Sequence, residues 1–411
     1  MPDCDITIIG AGPAGLMAAV AAAEAGVRVV VCEQMARPGA KLLATGGGRC
    51  NLTNTADAKT LMARFGRQGR FMAPALAAMD GQRLRAFFAA LGVPTHAPDG
   101  FHVFPESNSA KSVLDALLGR AEAIGVQLVT GAEATGLSHD GIETSRGAIQ
   151  CSRVVIATGG KGYPALGATG TGYRLAEQAG HHIVPPVPGL VPLVTAERWV
   201  ARVAGVTVPE AAVWIDLPKR RRTRSVGPLL FTHRGLSGPA VLNLSADVAE
   251  LLAGGSPVPI RVNLTPATPA EAWAARFDTW HRAHGKRLVR TLLAEHLPAS
   301  LAAEVCRVAG CGDDLRAAGA TAAQRRNVAA AIVGLPLTVT ATEGFDQAVV
   351  TRGGVALKEV DPRTLQSRLR SGLFFAGEVL DLDGPCGGYN LQWAFASGAL
   401  AGCAAAAGGP K

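Results

Sequence analysis

Asp5-Ile-Thr-Ile-Ile-Gly-Ala-Gly-Pro-Ala-Gly15 decides how this chain folds. Asp5 to Ile9 is a short β-branched apolar run, the pattern of a buried parallel strand. It leads into Gly10, Gly12 and Gly15, spaced G-x-G-x-x-G, and then into an Ala-rich stretch, Leu16 to Ala25, that predicts a helix ended by Gly26. Val27 to Cys32 predicts a second strand, closed by Glu33. Together these make a complete βαβ nucleotide fingerprint. Gly10 permits the tight turn, Gly12 lets the backbone approach a pyrophosphate, and Gly15 lets helix and strand pack closely. Pro13 and Ala14 open the helix, whose unpaired N–H groups and partial positive charge suit phosphates. Glu33, followed by Gln34, is placed to accept hydrogen bonds from an adenosine ribose. An acid there disfavours a 2′-phosphate, and with it NADP at this site. The fingerprint leaves FAD and NAD both open.

Three further segments bear on that choice. Arg37 to Lys41 and Thr45 to Asn54 (Thr-Gly-Gly-Gly-Arg-Cys-Asn-Leu-Thr-Asn) predict a long loop, since the glycines oppose a helix. Its amides at Gly47 and Gly48, with Lys41, Arg49 and Asn51, suit an extended anion, against the plainer reading of a solvated loop. Arg153 to Ile156 predicts a third buried strand, ending in Ala157-Thr158-Gly159-Gly160 at the same crevice. Near the end, a last strand leads to Gly377-Glu378, Asp381 and the turn Gly387-Gly388-Tyr389-Asn390 before a charge-free helix. Carboxylates there suit ribityl hydroxyls, and a helix N-terminus suits negative charge on reduced flavin. An NAD domain needs no such return segment, so FAD is the expected cofactor.

On Gly46 to Asn54, Ala157 to Gly160, Phe231-Thr-His-Arg-Gly-Leu-Ser-Gly-Pro-Ala240, Gly377-Glu-Val-Leu-Asp381 and Gly387 to Asn390, the chain resembles the BaiN-like flavoproteins, a bacterial family also labelled the aminoacetone oxidase family. These motifs span nearly the whole chain. The resemblance implies an α/β protein: a discontinuous Rossmann-like FAD-binding domain of the glutathione-reductase type, with an inserted β-rich domain and a small helical domain. The expected boundaries are 1–187 for the first part of the FAD domain, 188–265 for the β-rich insert, 266–334 for the helical domain and 335–411 for the return segment. Two positions depart from the pattern. Glu378 stands where the broader pattern has Asp, which leaves Glu378 and Asp381 as alternative ribityl ligands, and Cys386 stands where Thr is expected.

Composition sets limits. With 411 residues, 48% of them hydrophobic and 18% charged, the chain is a multi-domain globular protein and not a disordered one. The 50 glycines and 25 prolines fall short of low-complexity content, so each glycine is read by position. Eight scattered cysteines with no C-x-x-C suggest neither a zinc site nor a disulfide framework, and a reducing cytoplasm is the expected compartment. The charge-free stretches Ile6 to Ala23 and Gly384 to Pro410 read as buried helices interrupted by glycine clusters, so neither a signal peptide nor a membrane span is expected. No metal-ligand spacing is present.

The middle of the chain alternates short β-type runs (Val206-Thr207-Val208, Ala212 to Ile215, Ile260 to Asn263) before helices take over. Thr268-Pro269-Ala270-Glu271 and Thr321 with Gln324 predict capping boxes, and Trp273, Phe277 and Trp280 share one helix face as core or interface. Gly167 to Tyr173 imitates a second fingerprint but lacks a leading strand. The net charge of +8 favours anionic partners. The densest basic run, Lys219 to Arg224, reads either as a solvated hairpin or as a contact with phosphate or RNA.

No hydrolytic triad order is visible, and no second Rossmann unit exists for a resident nicotinamide. Either NAD(P)H docks transiently as electron donor, or an organic substrate reduces the flavin. The family resemblance implies three activities: reduction of a conjugated C=C bond in an enone, oxidation of a small amine, and reduction of uridine in ribosomal RNA. The leading expectation is an NAD(P)H-linked FAD reductase of an enone-type or uridine-type substrate. The alternatives are a peroxide-forming amine oxidase and an RNA-binding flavoprotein with a non-catalytic flavin. Tyr389 and His233 are the candidate proton donors, each with a plainer role in packing or loop fixing. Cys386 is a candidate redox thiol, against the commoner buried inert Cys. Oligomeric state is not legible.

Overall fold

Ile6–Ile9 is the centre of a five-stranded parallel sheet, ordered Leu373–Phe375, Arg153–Ile156, Ile6–Ile9, Val29–Glu33 and Gln127–Thr130. The structure, a computed structural model, describes residues 4–218, 220 and 224–408. The three middle strands are buried along their whole length, as the unbroken β-branched runs require. Helix Pro13–Glu24 packs against the long C-terminal helix Tyr389–Ala407. A Cβ at Gly398 or Gly402 would lie 2.3 Å from the carbonyl oxygens of Ala14 and Ala18, so small residues set this close approach. Arg153, buried at the start of its strand, donates to the carbonyls of Ala405 and Ala406 at the end of the same helix, where carbonyls lack helical partners.

The chain forms two compact units, Met1–Val187 with Val349–Lys411, and Pro188–Ala348. The second is a closed barrel of Leu193–Thr195, Gly235–Ser237, Ser225–Phe231, Thr207–Ile215, Val258–Asn263 and Leu335–Thr342. Helices Ala270–Ala283, Ala299–Val308 and Ala322–Gly334 share one apolar core with it. Trp273, Phe277 and Trp280 are buried there, with ring centroids 4.9–6.4 Å apart.

The structure differs from sequence expectation in four places. Leu335–Thr342 closes the barrel between Leu193–Thr195 and Val258–Asn263, so the return segment begins at 349, not 335. The β-rich and helical parts of the insert, divided at 265/266 from the sequence, form a single unit because they fill the same core. Ala40–Ala44 is a short helix ahead of the glycines, where a continuous loop was expected. Helix Ala270–Ala283 has Pro269 as its N-cap with no side-chain cap, whereas Thr321 and Gln324 do form the expected capping box.

Candidate functional site

At the carboxyl end of the sheet the three fingerprint glycines play distinct parts. A Cβ at Gly15 would lie 1.8 Å from the Gly10 carbonyl oxygen, and one at Gly10 would lie 2.6 Å from that of Ala157. Gly12 differs: a Cβ there would meet no atom within 4 Å, and the residue caps helix Pro13–Glu24 without a side-chain partner for the N–H groups. Space and donors therefore coincide in front of Gly12. Pro13 and Ala14 begin the helix as expected. Glu33 is buried, and its two oxygens accept from the N–H groups of Ala11 (2.7 Å) and Met35 (2.8 Å), tying the first glycine turn to the end of the second strand. Gln34 reaches the Gly167 carbonyl and, at 3.4 Å, the Thr169 hydroxyl.

The return segment meets the first half of the chain through Glu378. Its Oε2 lies 2.8 Å from Lys41 Nζ, and its Oε1 accepts from the Thr351 N–H at 2.7 Å. Ala157, Thr158 and Gly159 follow the third strand beside it, with a Cβ at Gly159 falling 3.8 Å from Glu378 Oε2. Lys41 thus pairs with a carboxylate within the protein. Asp381 accepts from Gln68 Nε2 at 2.8 Å. Gly377, with φ at +76°, turns the chain out of the last strand, and its carbonyl accepts from the indole of Trp393 at 3.2 Å.

Two asparagines of the glycine-rich motif hold the turn that starts the C-terminal helix. Asn54 Nδ2 donates to the Gly387 carbonyl at 2.8 Å. Asn51, with its amide oriented to suit its neighbours, donates to the Thr53 carbonyl at 2.9 Å and accepts from the Gly388 N–H at 3.0 Å. Gly388 must be glycine: φ is +79°, and a Cβ would lie 2.4 Å from the Thr53 oxygen. Asn390 closes the loop from the other side, donating to the Gly384 carbonyl and accepting from its N–H, both at 2.8 Å. Tyr389 is buried at the first helical position, its ring 6.3 Å from each of Phe65 and Phe101. Gly47 and Gly48 have left-handed backbones in the preceding turn. Arg49 lies over the Phe104 ring at 4.6 Å and donates to the Gly46 carbonyl at 3.2 Å. Burial pushes the Cys386 thiol up to about 11, which marks it as a poor thiolate.

One pair escaped the sequence reading. His102 Nδ1 lies 2.5 Å from Asp99 Oδ2, and its Nε2 faces the same turn, 3.5 Å from where a Gly387 Cβ would stand. Hydrogen bonding to His102 holds the Asp99 carboxyl well below the usual carboxylate range. The D-x-x-H spacing of Asp99 to His102 was the only available signal, and it becomes meaningful only because His102 pairs across the sheet with Asn54.

His233 belongs to the barrel unit. It lies exposed at the hairpin between Ser225–Phe231 and Gly235–Ser237 in the barrel unit, where the Thr232 hydroxyl, accepting from the N–H groups of Arg234 and Gly235, fixes the turn. Of the basic run, Lys219, Arg221, Arg222 and Thr223 lie outside the described residues. Arg220 lies 3.8 Å from Asp247, and Arg224 covers the Trp214 ring at 4.6 Å. No described helix is long and apolar enough to cross a membrane.

A parallel sheet ending in a glycine cradle, rejoined by a C-terminal helix, defines a Rossmann-type nucleotide-binding fold. The family model described as the HI0933-like protein Rossmann domain matches residues 4–404. The chain is 36% identical to a 3-dehydro-bile acid delta(4,6)-reductase of Clostridium scindens, over 98% of both chains. It is 32% identical to a ribosomal RNA dihydrouridine synthase of Escherichia coli, over 96% of both. Among solved structures, 3-ketosteroid delta1-dehydrogenase from Sterolibacterium denitrificans shares the fold with a TM-score of 0.51 at 14% identity, covering 99% of this chain and 100% of that one. The chain belongs to the HI0933-like family of FAD-binding Rossmann oxidoreductases, the BaiN-like flavoproteins. The residues present fit FAD: the space and donors at Gly12 suit a pyrophosphate, and the buried Glu33 carboxylate at the second strand's end suits a ribose.

Proposed function

We propose that this protein is an NAD(P)H-dependent FAD reductase of a carbon–carbon double bond conjugated to a carbonyl. The observation that carries the reading is the 36% identity, over 98% of both chains, to a relative named as a reductase of such a bond. The second relative is named for making dihydrouridine, which is likewise saturation of a bond conjugated to a carbonyl. Bound FAD supplies a hydride for the β-carbon of the acceptor.

The chain's own residues then have separable tasks. Gly12 with the helix N-terminus would hold the pyrophosphate, Gly10 and Gly15 shaping the turn that presents them, and Glu33 and Gln34 would hold the adenosine end. Lys41, Gly47, Gly48, Arg49 and Asn51 line the approach from the glycine-rich motif. Ala157, Thr158, Gly159, Gly377, Glu378 and Asp381 form the ribityl side. Gly387, Gly388, Tyr389 and Asn390 present the C-terminal helix dipole to the ring system. A proton for the α-carbon completes the reduction. We assign it to His102, because Asp99 fixes the Nδ1–H and leaves Nε2 turned to the Gly387 loop. Tyr389, enclosed by Phe65 and Phe101, serves as a wall of the site in this reading.

Anaerobic stopped-flow tests the assignment. NADH or NADPH should bleach the bound flavin, and a 3-oxo-4-ene steroid or a uridine-containing oligonucleotide should restore the oxidised spectrum. Bleaching by aminoacetone and by neither nicotinamide would replace the reading with the amine oxidase. A flavin that none of these bleaches, on a protein that retains RNA in a salt-sensitive way, would leave a binding protein.

A further inference from the structure

Two thiols meet at the amino-terminal edge of the parallel sheet, at the end away from the glycine turns. The register Ile6↔Arg153, continued two residues back, sets Cys4 opposite Cys151. The Cys4 N–H donates to the Gln150 carbonyl at 3.3 Å, the ladder bond this register requires, and Cys4 Sγ lies 3.7 Å from the same oxygen. Residues in register on neighbouring parallel strands point to one face and stand about 4.8 Å apart. A disulfide accepts Cα separations of about 4.4–6.8 Å, a range that includes this strand spacing.

The two cysteines are chemically unequal. Cys4 is buried, with its sulfur 3.3 Å from the Thr7 hydroxyl, while Cys151 is partly exposed. Hydrogen bonding between the two sulfurs pulls the Cys151 thiol down and pushes Cys4 up. The other neighbouring pair among the described residues, Cys306 and Cys311, is buried on both sides, and burial pushes Cys306 up to about 12. Cys32 and Cys50 are likewise buried and pushed up to about 12. Thiolate character and access govern oxidation, and here they coincide beside a second sulfur.

We propose that Cys4 and Cys151 form an oxidation site for peroxide, with Cys151 as the attacking thiol and Cys4 as the resolving one. The Cys151 thiolate attacks the peroxide O–O bond, giving a sulfenic acid and, after protonation, water from hydrogen peroxide. The Cys4 thiol then attacks the Cys151 sulfur, the S–S bond forms, and a second water leaves. In total, two thiols and one hydrogen peroxide become one disulfide and two waters. The bond would staple the first strand to the third without touching the glycine cradle.

The test is a peptide map of the full-length FAD-loaded protein after brief exposure to hydrogen peroxide and alkylation under denaturing conditions. The expected result is one reductant-sensitive species joining the Cys4 and Cys151 peptides, with Cys32, Cys50, Cys306 and Cys311 still alkylated and flavin content unchanged. Cys4→Ser should leave Cys151 as a sulfenic acid that dimedone labels, and Cys151→Ser should leave Cys4 unlabelled. Full alkylation of both cysteines in the peroxide-treated wild type would overturn the proposal, as would dimedone labelling of Cys4 in Cys151→Ser. The wild-type map decides even if a variant folds poorly.

Discussion

Asn54 donates its side-chain amide to the Gly387 carbonyl at 2.8 Å, a bond spanning 333 residues of sequence. It ties the glycine-rich motif of the first half to the turn that launches the C-terminal helix. Through it, two segments far apart in sequence form one cluster. Asn54→Ala leaves the Gly387 carbonyl without its donor, a loss of about 1–3 kcal/mol for a buried polar group. We expect FAD affinity to fall roughly tenfold or more on that scale, with far-UV circular dichroism unchanged. Titration of apoprotein by flavin fluorescence reads this directly, and undiminished affinity would separate the turn from cofactor binding.

Gly12→Val probes the opposite situation, a glycine beside open space instead of one set by packing. Its backbone is extended (φ −81°, ψ −176°) and a Cβ meets nothing within 4 Å, so the variant should fold normally. The branched side chain would occupy the pyrophosphate's approach. Purified Gly12→Val should be colourless with the melting temperature of wild-type apoprotein, and a fully flavin-loaded variant would remove the pyrophosphate from this glycine.

Lys41 and Glu378 form a partly buried pair at 2.8 Å, with side chains 24% and 21% exposed. Lys41→Met strips Glu378 of its cation while leaving the Thr351 N–H, and should lower stability by about 1–3 kcal/mol, between exposed and fully buried pairs. Lys41→Met with Glu378→Gln should recover part of that loss, since no uncompensated charge remains. A double-mutant cycle from urea melts measures the coupling, and additive losses would mean that the pair contributes nothing.

Burial lowers the pKa of His181 below its ordinary value near 6.5, although Glu359 opposes the shift from 3.4 Å. Because the unfolded chain takes up the proton first, stability is lost as pH falls below about 6.5. His296 shifts the same way in the barrel unit, by burial and then by Arg276. Thermal melts should therefore decline between about pH 7 and 5, and His181→Gln should flatten that slope. An unchanged slope would place the sensitivity elsewhere.

The βαβ fingerprint was legible because strand, glycines, helix and terminal acid are contiguous, so each residue's role follows from spacing. The return of Gly377 to Asn390 to the same crevice was legible from its glycine and acid pattern. Contacts between distant segments were not. Lys41 and Glu378 each suggest a ligand contact when read alone, and only the folded chain pairs them. Leu335–Thr342 reads equally well as a strand of either unit, because alternation reveals a half-buried strand and not its sheet. The Asp99–His102 pair looks like any polar turn until the strand pairing sets it beside Gly387.

His102→Gln offers a test of the proton assignment that does not depend on turnover alone. Reduction of the bound flavin by NAD(P)H should keep its rate, while reoxidation by the conjugated ketone should slow by about 10²-fold, within the range for removal of a general acid. Equal slowing of both half-reactions would indicate a disturbed site, and no slowing would return the proton to Tyr389 or to solvent.

The most direct measurement is the visible spectrum of the purified chain, followed by identification of whatever coenzyme heat releases. Oxidised flavin bands with one FAD released per chain are expected. Colourless protein that takes up no FAD from solution would contradict the joining of the two chain ends around that coenzyme.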